Sequence, residues 1–387
     1  MSDWRASAIA WGFRMSEPHA DVRVSHRPAP RTTLAHVAER AGVSIATASL
    51  VLSGREEYIK QFRADTVEKV RRCAERLGYR ANLFAAGLPT KTSLFFLLVI
   101  RDFGGSQDPS SWHLWAFEGM LLAGAMRTAT DEGLYPVVAA IDPSDPEAGI
   151  ATVERIIGGG VLGAVVRTPN PPLERLIRSR LKAAQRLVVV FPHKLSAWPT
   201  NAIDVDNRAI GETAGRLLIS RGRKRLALVC YKSIRDIHRL RLEGFKRAAE
   251  EAGATVRIIQ LPLAVNEQSA AGTVASRMKR VAADGLFAVD SVSSVGSLLG
   301  LVRCGMKPTE DFDLVGCDCS LWRNEPMPAI TTVDVSWEEV GILATKKLLE
   351  MSQAGTSRFK TIVLPPRVTP AGTCPVPDGF HPVSASK

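Results

Sequence analysis

Several things are scarce in this chain of 387 residues, and each scarcity removes a class of protein. No apolar run approaches the roughly 20 residues that a membrane-spanning helix needs. The longest, Leu94–Ile100, has the length of a strand and is followed by Arg101 and Asp102. The N-terminus lacks a basic start followed by an uninterrupted apolar core, because Arg5, Arg14 and Glu17 break it up. A cytoplasmic protein is therefore expected. Cysteine is sparse: Cys73, Cys230, Cys304, Cys317, Cys319 and Cys374 are scattered, which suits reduced structural thiols. Cys317 and Cys319 form a C-x-C pair with no second pair nearby, so no metal site is expected. Phosphate-cradling glycine patterns, a G-x-S-x-G elbow and paired His–Glu zinc ligands are missing too, and no cofactor is expected. Gly158-Gly159-Gly160 reads as helix termination.

What is present is a basic start and a long alternating pattern. The formal net charge is +11, and residues 1–91 hold 15 Lys/Arg against 9 Asp/Glu. Over half of the excess thus sits in under a quarter of the chain, as suits a module that meets a polyanion. Residues 1–31 are polar and contain proline, and they read as a flexible tail.

From Thr33 a helical period begins. Leu34, Val37, Ala38 and Ala41 make one stripe, with Thr33 as cap and Gly42 as stop. Ser44 then caps a second helix running to about Leu52, after a turn short enough to cross the two helices steeply. A third helix is expected over Asp65–Leu77, striped by Val67, Val70, Ala74 and Leu77. On the second helix Thr47, Ala48 and Val51 face the bundle, while Ile45, Ala46, Ser49 and Leu50 face outward. In a DNA-reading helix-turn-helix those four would meet base edges, the apolar ones packing on thymine methyls. An ordinary helical hairpin has the same spacing.

After Lys91 apolar, β-branched runs alternate with amphipathic helices. The runs are Leu94–Ile100, Pro136–Ile141, Val161–Arg167, Leu187–Phe191, Leu226–Cys230, Leu286–Val289 and Leu314–Cys317. Continuous apolar strands between helices imply parallel sheets covered on both faces. About 290 residues of this pattern suit two doubly wound units.

The stretch from Thr33 to Ser49 (TLAHVAERAGVSIATAS) resembles the opening of the lactose/galactose-repressor family of bacterial regulators. Leu50–Gly54, Val67–Val70 and Glu75–Asn82 follow in the family's order. So do Val205–Arg208, Arg241–Phe245, Asp313–Asp318, Pro328–Val333 and Leu364–Arg367. The resemblance covers roughly residues 32–374. Leu50 stands where many members carry a base-reading arginine, and residues 1–31 have no counterpart.

The resemblance implies an α/β fold class. An N-terminal three-helix helix-turn-helix bundle (32–81) and a hinge helix with linker (82–92) would precede a two-subdomain, periplasmic-binding-protein-like core with parallel sheets (93–380). The N-subdomain would comprise about 93–203 plus 333–354, and the C-subdomain about 206–330 plus 361–380. Three crossovers would join them near Ile203–Asp206, Ile330–Val333 and Ala354–Thr361. Implied DNA contacts are Thr33, Leu34, Ser44, Ile45, Ala46, Thr47, Ser49 and Leu50, joined by Asn82 and Leu88 of the hinge. Leu88 would be the leucine that wedges into the minor groove. Implied effector contacts in the cleft are Asp102, Phe103, Trp112, Trp115, Arg241, Asp290, Asp318 and Trp322. Arg241 offers a guanidinium fork to hydroxyls or carboxylates, and the aromatic faces would stack on a ring. Asp290 stands where asparagine is common and Ser291 replaces the usual aspartate. Asp290 and Asp318 could instead cap helices, Arg241 could be a surface residue, and the tryptophans could be core.

The expected partners are a pseudo-palindromic double-stranded DNA operator, a small-molecule effector and a second copy of the chain, with tetramers left open and no membrane. The expected function is sequence-specific transcription regulation, as a repressor, controlled by a sugar or sugar derivative. The alternative is a doubly wound α/β enzyme or a solute-binding protein with an accessory helical domain.

Overall fold

The computed structural model describes residues 32–52, 56–80, 93–101, 112–142, 145–167, 171–181, 186–232, 236–262, 266–319 and 328–384. The side chains of residues 56–57, 112–116 and 181 lie outside that description. The chain separates into two compact units, Met1–Pro89 and Thr90–Lys387. The expected tail (1–31) and hinge (82–92) lie outside the described residues.

The first unit is a small helical bundle. Helix α1 (Leu34–Ala41) starts at a capping box, in which Thr33 and His36 satisfy each other's backbone N–H. It ends at Gly42, whose φ of 64° is the left-handed value that glycine adopts without strain. Helix α2 (Ile45–Leu52) starts under the Ser44 hydroxyl, which accepts from Thr47 N at 3.0 Å. A four-residue turn of helix, α3 (Glu56–Ile59), precedes α4 (Ala64–Arg76) and adds to the three helices expected. The core is drawn from α1, α2 and α4: Val37, Ala38, Ala41, Ala48, Val51, Val67, Val70 and Ala74. The Thr32 hydroxyl donates to Leu77 O at 2.9 Å and ties the start of the bundle to its end.

The second unit holds two six-stranded sheets. The first contains β1 (Phe95–Arg101), β2 (Tyr135–Ile141), β3 (Ala164–Arg167), β4 (Leu187–Val190), β5 (Ala202–Val205) and β11 (Ile362–Leu364). The second contains β6 (Arg225–Tyr231), β7 (Thr255–Leu261), β8 (Gly285–Ala288), β9 (Asp313–Gly316), β10 (Thr331–Asp334) and β12 (Arg367–Thr369). The orders are β11-β5-β4-β3-β1-β2 and β12-β10-β9-β8-β6-β7, so the second sheet repeats the first. Among the described residues, these strands pair in parallel except β10 with β12. The inner strands are buried throughout, as sheets covered on both faces require.

Two of the three expected crossovers move. The first stays at Asp206, between β5 of one sheet and α8 (Asn207–Ser220), which packs on β8, β9 and β10 of the other. The second falls after β10, because Thr331–Asp334 pairs with β9. The third falls at Pro365 and Pro366, since β11 pairs with β5 while β12 pairs with β10. Residues 331–334 therefore belong to the second half and 361–364 to the first, against the subdomain boundaries expected. Short segments of three or four residues do not reveal their sheet; only hydrogen-bond partners do.

Helix α5 (Trp112–Asp131), α6 (Pro146–Gly158), α7 (Pro171–Leu176) and α12 (Trp337–Gln353) serve the first half. Helices α8, α9 (Asp236–Glu251), α10 (Glu267–Val281) and α11 (Ser291–Arg303) serve the second. Glycine allows the closest helix crossings. A Cβ on Gly211 of α8 would lie 1.8 Å from Arg241 O, and one on Gly244 of α9 would lie 2.0 Å from Arg208 O. The first half repeats the device on α5 and α12, where Gly124 and Gly341 would strike Glu338 O at 2.0 Å and Leu121 O at 2.1 Å.

Backbone cannot yield as a side-chain tip can, so alanine at these glycines must push helices apart. Gly211→Ala is expected to destabilise the second unit by about 1–3 kcal/mol, the usual cost of overpacking, in a denaturant titration. Gly272→Ala, with nothing within 4 Å of its added Cβ, is the control and should stabilise slightly, as alanine does inside a helix.

Candidate functional site

Two places combine exposure with chemistry. The first is the outer face of α2. Ala48 and Val51 lie in the bundle, while Ile45, Ala46 and Ser49 are exposed and Thr47 and Leu50 are half-buried. Ile45 is 55% exposed, more than any other large apolar residue described. Thr33 and Ser44 are exposed and act as caps, and Leu34 is half-buried against the core. The surface so formed is small and apolar, on a helix without a charged side chain. Arg63, Lys69, Arg71, Arg72 and Arg76 supply positive charge from α4 and its start.

The second place is the line of strand ends where the two sheets meet. Arg241, on α9, is 5% exposed, so it is not a surface residue. Its Nε donates to Asn207 Oδ1 at 2.9 Å. One terminal nitrogen donates to Val289 O and lies 3.4 Å from Asp318 Oδ2. A guanidinium taken out of water at this depth needs such partners, because an unpaired buried charge costs several kcal/mol. Asp318 holds φ at 55°, unusual for a residue with a side chain. Its other oxygen accepts from Trp337 Nε1 of α12 at 3.4 Å, which links the two halves of the unit.

Asp290 is the N-cap of α11: its Oδ1 accepts from Ser293 N at 2.9 Å and from the Tyr231 hydroxyl at 3.1 Å. Its Oδ2 lies 4.0 Å from His238 Nε2. His238, to which the sequence assigned nothing, is buried and stacked on Tyr231. On the first half, Glu118 of α5 is 1% exposed and faces Arg167, at the end of β3, at 2.7 Å. Burial pushes the Glu118 carboxyl up, against the opposing pull of Arg167 and Arg101. The Arg167 guanidinium lies 5.0 Å over the Trp337 ring, which also packs on Phe117 and Phe191.

Two buried carboxyls flank the first two crossovers. Burial pushes Asp204 of β5 up to about 7, with Arg241 pulling the other way. Burial also pushes Asp334 of β10 up to about 7, and the nearby charge of Asp318 adds to it.

Of the expected effector residues, Arg241, Asp290 and Asp318 come together at the strand ends. Asp102, Phe103 and Trp322 lie outside the described residues, as do Asn82 and Leu88 of the expected hinge. Trp112 and Trp115 begin α5, but their side chains are not among those described. Sequence reasoning missed Asn207, Tyr231, His238, Glu118, Arg167 and Trp337. Tyr231 and Arg167 end apolar strands, a position that could have marked them. The remaining four sit on helices or caps, and only packing reveals them.

Comparison with known proteins adds two family matches. Residues 33–82 match the bacterial regulatory proteins of the lacI family, and residues 215–374 match a periplasmic binding protein-like domain. Catabolite control protein A of Streptococcus mutans is 24% identical over 342 residues, covering 88% of this chain and 97% of that protein. The HTH-type transcriptional regulator AglR of Rhizobium meliloti is 27% identical over 328 residues, covering 82% and 86%. Among solved structures, the Lac repressor dimer bound to operator and the anti-inducer ONPF superposes with a TM-score of 0.71 at 19% identity. It covers 89% of this chain and 100% of that one. The complex of the transcriptional regulator CelR with cellobiose gives 0.59 at 22% identity, covering 89% and 100%.

The cap reading of Asp290 has a measurable consequence. Asp290→Ala removes an acceptor from Ser293 N and from Tyr231, and should cost about 1 kcal/mol of stability. Asp290→Ser should recover most of it in the same melt. If serine stabilises no better than alanine, the cap is not the residue's structural contribution.

Proposed function

We propose that this chain, a member of the lactose/galactose-repressor (LacI/GalR) family of bacterial transcription regulators, binds operator DNA through α2 and adjusts that affinity to a small molecule held between its two sheets.

The single observation behind the DNA contact is the split of α2. Its buried stripe fixes the helix in the bundle, and its opposite face leaves Ile45 more than half exposed. An apolar side chain held out on a capped, rigid helix suits a thymine methyl in the major groove. Arginines of α4 supply phosphate attraction that is blind to sequence. Two copies would read a pseudo-palindromic operator, since half-sites related by a two-fold axis match a two-fold protein. The Lac repressor relative is a dimer on its operator, and this chain is read the same way. Asn82 and Leu88 would complete the contact from the hinge, and repression is the outcome expected of a protein that occupies a promoter. Such work places it in the cytoplasm.

The ligand role rests on Arg241, Asp290 and Asp318 at the carboxyl ends of parallel strands, where doubly wound folds bind small molecules. Asp318 and Asp290 would accept hydrogen bonds from hydroxyls, Arg241 would donate, and Trp337 would offer an aromatic edge. Asp102, Phe103, Trp112, Trp115 and Trp322 would add contacts from the loops around them. CelR holds cellobiose, and a sugar or sugar derivative suits these donors and acceptors. A ligand that binds one arrangement of the halves better than the other shifts their population, and operator affinity with it.

Binding to a palindrome from the protein's own promoter region should exceed binding to scrambled DNA at matched salt by at least 100-fold, about 3 kcal/mol. Ile45→Ser, which removes the apolar contact without adding charge, should sharply cut that preference and leave non-specific affinity nearly intact. Equal affinity for both sequences in the unaltered protein would end the operator reading. A thermal-shift screen of sugars, sugar acids and nucleosides should raise the melting temperature with one class. Arg241→Lys, which keeps the charge but loses the fork, should cut that shift sharply without changing operator affinity.

A further inference from the structure

The crossovers carry a concentration of buried acid that neither the DNA contact nor the ligand role requires. Asp204 and Asp334 are 7% and 6% exposed, and they stand on the last strands before the chain passes between halves. Asp206, on the first crossover, caps α8 by accepting from Ala209 N at 2.9 Å. Asp318 follows β9, the strand beside β10. One guanidinium, Arg241, influences both Asp204 and Asp334, and its terminal nitrogen already serves Asp318.

We propose that Asp204 and Asp334 make the hinge between the two halves proton-sensitive, holding the cleft ajar when both are ionised and letting it close when both are protonated.

Asp204 belongs to the first sheet, whereas Asp206 as cap of α8, Arg241, Asp318 and Asp334 belong to the second half. The two carboxyls thus come from different halves, and the one guanidinium near both already serves Asp318. Ionised, they are short of compensating charge in a poorly solvated place, a cost that opening the crossover strands to water relieves. Protonated, each becomes a donor as well as an acceptor, and that cost is gone.

The groups that set each proton affinity can be named. Around Asp204 are Asp206, Glu174 of α7 and Arg241 of α9, with the uncharged Val363 opposite on β11. Around Asp334 are Asp318, Arg241, the Thr332 hydroxyl and the Cys317 and Cys319 thiols. Burial raises both thiols well above their ordinary value, so they stay neutral. Arg367 stands opposite Asp334 on β12, but it is itself ion-paired with Glu339. Acids outnumber cations around Asp204; around Asp334 one acid faces one cation that also serves Asp318, and burial raises both carboxyls. Both carboxyls lie near 7, so the change falls where a cell's pH moves.

The sign follows from proton counting. An unfolded aspartate titrates near 3.9, so between about pH 4 and 7 the folded protein binds more protons than the unfolded chain. Stability from these two groups is therefore greatest in the acid part of that window and falls as pH rises through about 7.

The proposal uses the cleft reading only for its consequence in regulation, because the readouts need no ligand. A failed ligand screen and a failed proton response are separate results. The probe is the proton itself, on the full chain. From pH 8.5 to 6 the melting temperature should rise by up to about 5 °C and the radius of gyration from solution scattering should fall. The double variant Asp204→Asn, Asp334→Asn should show the compact form at pH 8.5 and lose most of both dependences. A wild-type radius that ignores pH, or a double variant that keeps the wild-type dependence, overturns the proposal. If the double variant does not fold, carbon-13 labelling of aspartate carboxyls in the unaltered protein decides. Two resonances titrating near neutrality are expected, and none titrating above pH 5.5 would refute it.

Discussion

The buried guanidinium of Arg241 is the constraint around which the second unit is arranged. It is held by Asn207 from α8, by Val289 at the end of a strand and by Asp318 from the neighbouring strand. Removing any one partner would leave charge or hydrogen-bonding capacity stranded in the interior. The position exists because α8 and α9 cross with backbone against backbone, at Gly211 and Gly244. A wider crossing would lift the arginine away from the strand ends. Fold and site are thus one problem: two absent methyl groups place one cation.

The first half answers the same need with different chemistry. Gly124 and Gly341 bring α5 and α12 together, and the residues that reach the strand ends are Glu118 and Trp337. Arg167 lies between them, paired with the acid and stacked on the indole. The two sheets share a strand order, yet one site sets Arg167 between Glu118 and Trp337 and the other sets Arg241 among Asn207, Val289 and Asp318. An architecture repeated in space need not repeat in sequence, because burial and helix spacing constrain the scaffold while the strand ends remain free to vary. The Trp337–Asp318 bond joins these unlike halves, and anything that competes for Asp318 acts on both.

The helical unit works by the opposite economy. Its core is eight small or medium side chains, and capping residues fix the helix starts. Little is left over for recognition beyond the outer face of α2. That face is apolar and short, a chemistry suited to shape and methyl contact rather than to charged forks.

Much of this could be read from the sequence alone. The stripe of Leu34, Val37, Ala38 and Ala41, the stop at Gly42 and the cap at Ser44 set the first two helices, since periodicity and capping are local chemistry. The apolar runs from Leu94 to Cys317 gave most of the strands, because a strand buried on both faces must be continuously apolar. What the tertiary structure decided was membership and company. Thr331–Asp334 and Ile362–Leu364 are too short to announce their sheets, and their hydrogen-bond partners alone moved two crossovers. Asp290 emerged as a helix cap, and Glu118, His238 and Trp337 emerged beside the strand ends from places with no motif. Local sequence carries period and caps; which distant groups share a buried space depends on how the helices cross, and that is set only when the whole unit packs.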